Sequence, residues 1–259
     1  MNKLSVVVIT FNEEIDLPKC LSTVKKIADE IIVVDSGSAD NTLQIAKNFG
    51  AKTYFRKFDN YSNQKNYAMS KANGDWILSI DADEELEPEL AKEILEKLRS
   101  NNSKFTAYSI PRKNIIFGKE IKYTRWQSEL DRHIWLWKKG AGKWVGDVHE
   151  ELKVAGDVGS MKYAKIHNQY KTVKEFLDMI NRYSELEAEK KVKSGQGFSY
   201  FRFFFDPKYN FFVRYIYRLG FLDGWRGFVL SYLMGVYHFV LWVKVWDKTT
   251  NSAPAENKT

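Results

Sequence analysis

The sequence predicts an α/β fold: a central, mostly parallel sheet with helices on both faces, followed by C-terminal amphipathic helices. Three observations lead there. Val- and Ile-rich runs of strand length alternate with helix-length segments through the first hundred residues. The runs are apolar without alternation, as strands buried on both faces of a parallel sheet are. Short polar clusters follow three of them, where the carboxyl ends of parallel strands carry ligands.

In chain order, residues 4–9 read as a buried strand and residues 14–27 as a helix, with Leu17, Leu21, Val24 and Ile27 at helical spacing. Residues 31–34 are the second strand. Residues 41–49 form a helix stopped by Gly50, and residues 52–55 a third strand. A helix over 62–72 and a strand over 76–80 follow. Pro88 then opens a helix to Leu98 from the first-turn position that tolerates proline. Beyond residue 105, short strands are expected at 105–110, 115–117 and 133–137. Residues 173–192 form an amphipathic helix, and Ser194-Gly-Gln-Gly197 reads as a hinge. The βαβα order argues for one sheet covered on both faces.

Hydrophobic residues make up 44% of the 259 positions and charged residues 28%, which allows a sizeable core and excludes global disorder. Cys20 is the sole cysteine, so neither an internal disulfide nor a cysteine metal site can form. A buried place on a helix is expected for it. Residues 1–110 carry 14 Lys and Arg against 17 Asp and Glu, and residues 111–259 carry 26 against 16. A basic second half suits an anionic partner. The N-terminus runs straight into a strand, without a signal-peptide pattern, so a cytoplasmic location is expected.

The polar clusters are Thr10, Asn12 and Glu13; then Asp35, Ser36, Gly37 and Ser38; then Asp81 and Asp83. No glycine-rich dinucleotide or triphosphate loop is present. A phosphate site without one needs another positive charge, and Mn²⁺ or Mg²⁺ on the carboxylates of Asp81-Ala82-Asp83 would supply it. Alternation at a strand end aims one carboxylate at a ribose and the other at the metal. The plainer alternative is that Asp83, Glu84 and Glu85 favour the positive end of the Pro88 helix.

Three segments, Ser5-Val-Val-Val-Ile-Thr-Phe-Asn-Glu-Glu14, Ile32-Val-Val-Asp-Ser-Gly-Ser-Ala-Asp-Asn-Thr42 and Gly74-Asp-Trp-Ile-Leu-Ser-Ile-Asp-Ala-Asp83, resemble the family 2 glycosyltransferases of GT-A fold. The resemblance implies transfer of a sugar from a nucleotide-sugar donor, a UDP-sugar first, with inversion at the anomeric carbon. It places Thr10, Asn12, Glu13 and Asp35 around the nucleoside, Asp81 on the ribose and Asp83 on the metal. Gln64-Lys65-Asn66 matches a segment where the family often has Arg-Asn, so Lys65 is a donor contact. The second half resembles small lipopolysaccharide-core β-glucosyltransferases through Arg132-His-Ile-Trp-Leu-Trp137, Trp144-Val-Gly-Asp-Val-His-Glu-Glu151 and Leu219-Gly-Phe-Leu-Asp-Gly-Trp-Arg-Gly-Phe228. That implies a glycan or glycolipid acceptor in cell-envelope synthesis. Inversion needs a base on the acceptor hydroxyl, and Glu150 is the first candidate, with Glu151 and Asp131 as competitors. His149 or His167 completes the metal shell or touches the diphosphate, the alternative being a structural histidine. Trp126, Trp135, Trp137 and Trp144 either stack on sugars or fill the core.

The expected division is a catalytic domain over 1–170 (donor half 1–100, acceptor half 101–170), a helical segment over 171–248 and a disordered polar tail over 249–259. Residues 227–243 contain no Lys, Arg, Asp or Glu; Trp225, Arg226, Lys244 and Trp246 flank them, and Trp242 stands at their end. That pattern favours helices lying at an anionic membrane surface, peripheral to the inner leaflet. A span or a packing role is the alternative, and a homo-oligomer stays open. Rival functions are a nucleotidyltransferase, which would need a basic loop where residues 10–18 are acidic, and an idle membrane adaptor. Nucleic acid is not an expected partner, since the basic residues are dispersed among apolar stretches.

Overall fold

The structure is a computed structural model that describes residues 2–100, 104–146 and 150–251. In chain order it forms β1 (Leu4–Thr10), α1 (Leu17–Val24), β2 (Glu30–Asp35), α2 (Thr42–Asn48), β3 (Lys52–Phe55), α3 (Tyr61–Ser70), β4 (Trp76–Ser79), β5 (Glu84–Leu86) and α4 (Pro88–Arg99). Then come β6 (Ala107–Ile116), β7 (Lys119–Glu120), β8 (Arg132–Lys138), β9 (Gly142–Val145), β10 (Glu151–Val154), β11 (Val158–Ser160) and β12 (Lys165–Asn168). Helices α5 (Val173–Lys193), α6 (Tyr200–Phe212) and α7 (Trp225–Asn251) follow, with a π-helical turn at Val213–Tyr217 and a 3₁₀ turn at Gly220–Asp223.

The chain divides into two compact units, residues 1–114 with 128–168 and residues 115–127 with 169–259. In this division residues 115–127 fall in the second unit. Their apolar Ile116 and Ile121 are buried with Phe176, Leu230 and Trp242 of the helices, and that removes them from water more completely than an edge position would.

In the first unit, β1 pairs in parallel with β2 and β4, and β2 with β3. Antiparallel β8 joins β4 to β6, and β12 pairs antiparallel with β5. Strands β1, β2 and β4 are buried almost throughout, which is why they read as unbroken apolar runs. Helix α1 buries Leu17, Cys20, Leu21 and Val24, one stripe at helical spacing. It begins at Leu17, not Glu14, because the Glu14 carboxylate is bound to the Asn41 backbone and side chain and Pro18 sits in the first turn. The two strands expected at 105–110 and 115–117 are one, β6.

In the second unit, α5 buries Phe176, Ile180 and Ala188 in a cluster with Leu241, Trp242 and Val245 of α7. The Trp242 indole donates to Asp206 (2.8 Å), and the Tyr237 hydroxyl to Glu187 (2.5 Å). The hinge expected at 194–197 begins as a helix cap: Gly195, at φ +79°, ends α5. Helix α7 continues through Asn251, past the expected start of the tail at Thr249. By length and composition α7 is apolar enough to cross a membrane, and 39% of its most apolar window is buried within the protein. Helix α6 buries none of its residues, and Tyr200, Phe201, Phe204, Phe205, Tyr209 and Phe212 are exposed.

Candidate active site

The carboxyl ends of β1 and β2 meet in a self-bonded loop pair. Asp35 is fully buried, and its Oδ1 accepts from Thr10 Oγ1 (3.2 Å) and Ser38 Oγ (2.5 Å). Its Oδ2 accepts from the backbone N–H groups of Gly37 and Ser38, both at 2.8 Å. Gly37 reaches this geometry at φ +107°, which favours glycine. These four bonds fill the acceptor positions of a carboxylate, so Asp35 scaffolds this edge. Asn12 sits at φ +56°; its N–H donates to Ser38 Oγ (2.8 Å) and its Oδ1 accepts from Ala39 (2.9 Å). The Glu13 N–H donates to Thr42 Oγ1 at 2.8 Å.

Beside this edge lies a buried charge network. Asn66 on α3 exchanges two hydrogen bonds with the backbone of Trp144 on β9. That clamp holds its neighbour Lys65, 2% exposed, with Nζ 3.3 Å from Asp81 and 3.2 Å from Glu150. The ammonium stands 4.6 Å from the Trp144 ring centre and 5.2 Å from that of Trp135. Burial works against the charge on Lys65, but Asp81 and Glu150 outweigh it and raise its pKa. Burial likewise opposes ionisation of Asp81, yet Lys65 and Lys165 hold its carboxyl well below the usual range.

Residues two apart on a strand share a face, and Lys165 and His167 do so on β12. Lys165 Nζ bonds to Glu84 (2.5 Å) and lies 3.2 Å from the Trp135 ring centre. Burial lowers its pKa, only partly offset by Glu84 and Asp81. Glu84, fully buried on β5, also accepts from the Asp81 N–H (3.0 Å) and faces Arg112 at 3.6 Å. Arg112 grips Asp131 with two bonds of 2.9 and 3.0 Å. Burial opposes ionisation of Asp131 too, but His133 and Arg112 overcome it and hold its carboxyl far below the usual range.

Asn114 Nδ2 donates to Asp131 (2.8 Å), which turns Asn114 Oδ1 toward His167 Nδ1 at 3.2 Å. An amide oxygen cannot donate, so the Nδ1 hydrogen must face it. The other ring nitrogen, Nε2, lies 3.1 Å from Asp83 Oδ2. A neutral imidazole in this tautomer would present a lone pair to a carboxylate. The contact is favourable only when Nε2 is protonated or both atoms share a cation, and an oriented His beside a carboxylate suits a divalent metal. Among the described residues, no group of three or more His, Cys, Asp and Glu is placed to hold a metal. Substrate oxygens or water could supply further ligands.

With this geometry in place, the comparisons decide the family. The model of glycosyl transferase family 2 matches residues 5–148. The chain belongs to glycosyl transferase family 2. An uncharacterised glycosyltransferase of Rickettsia typhi is 31% identical over 97% of this chain and 89% of its own length. The lipopolysaccharide core biosynthesis glycosyltransferase LpsC of Rhizobium meliloti is 28% identical over 95% of this chain and 92% of its own. Among solved structures, S. aureus TarS in complex with UDP aligns with 44% of this chain and 36% of its own at 26% identity, with a TM-score of 0.37.

The glycosyltransferase brings Lys65, Asp81 and Glu150 together and sets Asp83 against His167. His149 lies outside the described residues, and the histidine placed beside Asp83 is His167. Glu150 has a side chain 23% exposed and one fixed partner, Lys65. Asp131 is committed to Arg112, Asn114 and His133, and Glu151 is exposed on β10. Trp137 is core, Trp135 and Trp144 flank the lysines, and Trp126 belongs to the transferase's second unit, against Phe176. Glu84 is a buried partner of Lys165, not a helix-dipole residue. Sequence reasoning missed Lys165, Arg112 and Asn114. The available signal was polar residues two apart, Arg112 with Asn114 and Lys165 with His167, in otherwise strand-like segments.

Proposed function

We propose that the protein moves a sugar from a nucleotide-sugar donor, with a UDP-sugar the first to test, onto a glycan or glycolipid acceptor with inversion. The observation that carries the reading is the Asp83–His167 pair set beside the Lys65–Asp81–Glu150 cluster. Asp81 would bind the ribose hydroxyls, with Lys65 holding its charge in place. Asp83 and His167 would hold Mn²⁺ or Mg²⁺, which supplies charge to a departing diphosphate. Glu150 takes the proton from the acceptor hydroxyl as that oxygen bonds to the anomeric carbon and the bond from that carbon to the diphosphate breaks. Similarity to LpsC along almost the whole chain supports a cell-envelope glycolipid as acceptor. Exposed aromatics on α6 and the basic second half support a place on the cytoplasmic surface of the membrane.

A ligand that binds only the folded state raises apparent stability. UDP with Mn²⁺ should raise the melting temperature of the wild type, and chelator should cancel the rise. His167→Ala and Asp83→Ala should each lose the metal-dependent part. An equal, metal-dependent rise in both variants would sink the assignment.

A further inference from the structure

Among the described residues of the second unit, one buried charge has no acidic partner against it. Arg214, on the π-helical turn, is 7% exposed, and its Nε and Nη1 have no hydrogen-bond partner among the described residues. Arg218, one turn on, has an unpartnered Nε as well. The Arg214 guanidinium stands 5.1 Å from the Trp126 ring centre, and the adjoining charge is another cation, Arg125. Burial, and then Arg125, bring the Arg214 pKa down to about 10, so it stays charged at neutral pH. Three acids of this unit are engaged elsewhere. Asp223 accepts from the N–H groups of Lys122 (3.1 Å) and Tyr123 (2.9 Å), Asp206 from Trp242, and Glu187 from Tyr237.

The segments bearing these arginines are locked together. The Thr124 N–H donates to the Arg218 carbonyl (3.1 Å), although Thr124 is buried, β-branched and at φ +68°, a costly backbone region for such a residue. Gly220 packs so tightly that a Cβ there would lie 2.7 Å from the Arg214 carbonyl oxygen and 2.9 Å from Thr124 Cγ2. An unpaired buried charge is expensive. A π-helical turn and a strained threonine add to the cost, and such features gather where a ligand binds. The planar guanidinium fork matches phosphate oxygens.

We propose that Arg214, with Arg218 and Arg125, forms a phosphate-binding site in the helical unit, separate from the donor site. The phosphate is either free or the head of an apolar-tailed ester. An apolar groove of about 520 Å³, lined by Pro207, Phe211, Phe212, Phe228, Tyr232 and Phe239, includes Phe212, two residues before Arg214, and could take the tail of such an ester.

The test is calorimetric titration and melting of the full chain in chelator, with inorganic phosphate, with octyl phosphate below its micelle concentration, and with octanol. Octyl phosphate should bind and octanol should not. Arg214→Met should melt higher than the wild type without ligand, because an uncompensated charge is gone, and should bind at least tenfold more weakly. Arg218→Gln should weaken binding while leaving Arg214 in place. Asp83→Ala should bind as the wild type does, which separates this site from the donor reading. Equal binding of inorganic and octyl phosphate would assign a free phosphate, and preference for octyl phosphate a lipid-borne one. Binding unchanged in Arg214→Met and Arg218→Gln, or no binding of either phosphate, would overturn the proposal.

Discussion

Glu150 and Asp131 are carboxylates of the same unit with opposite prospects as bases. Asp131 accepts from Arg112, Asn114 and His133, and that stabilises its ionised form so strongly that it has little tendency to take a proton. Glu150 shares one lysine with Asp81 and keeps an exposed edge. Glu150→Gln preserves shape and removes basicity. Turnover should fall by about two to four orders of magnitude, the usual worth of a general base, with UDP affinity nearly unchanged. Steady-state rates for Glu150→Gln and Asp131→Asn decide the matter: a large loss confined to kcat in the Asp131 variant alone would move the role there.

At the level of elements, the tight contact between Gly220 and Gly227 fixes where α7 begins. A Cβ on residue 227 would lie 1.8 Å from the Gly220 carbonyl oxygen, whereas one on residue 197 would meet nothing within 4 Å. Gly227→Ala should cost on the order of 1–3 kcal/mol by overpacking and lower the urea midpoint, with Gly197→Ala as the neutral control. An unchanged midpoint for Gly227→Ala would mean that the contact relaxes freely. The buried parallel strands were legible in the sequence because burial on both faces leaves unbroken apolar runs such as Leu4–Thr10. Strand β12 was not. Three of its four residues, Lys165, Ile166 and His167, pair with Leu86, Glu85 and Glu84, far away in the chain, and no local period records a partner at that distance. Asp81 and Asp83 were legible for the converse reason, since the strand that positions them immediately precedes them. Asp35 was legible as a polar residue at a strand end, but its four internal hydrogen bonds come from a loop geometry that composition does not encode.

For the molecule as a whole, charge and apolar exposure fall in the same part of the chain. Residues 111–259 hold ten more Lys and Arg than Asp and Glu, and α6 buries none of its aromatic residues. Each Lys or Arg near an anionic surface contributes about 1 kcal/mol of attraction before screening, while inserted aromatics resist salt. The full chain should therefore sediment with phosphatidylglycerol vesicles at low salt, and less so at high salt. Binding that survives both high salt and alkaline carbonate would mark α7 as a span. No sedimentation at any salt would remove the membrane from the proposal and leave α6 as a surface for a protein partner.

The pairing of Asp83 with His167 also has a consequence in time. The two residues are 84 positions apart, so at about 5–20 residues per second of synthesis the aspartate is made roughly 4–17 s before its histidine. Lys165 follows the same schedule. In that interval the nascent donor half carries Asp81, Asp83 and Glu84 with neither Lys165 nor His167 to answer them. A chain released after α4 would have the parallel strands β1 to β4 with Lys65, Asp81, Asp83 and Glu84, but not Arg112, Asp131, Glu150, Lys165 or His167. The long sequence span of this contact therefore makes His167 and Lys165 among the last parts of the first unit to be supplied, and interrupted synthesis leaves a fragment without the Asp83–His167 pairing.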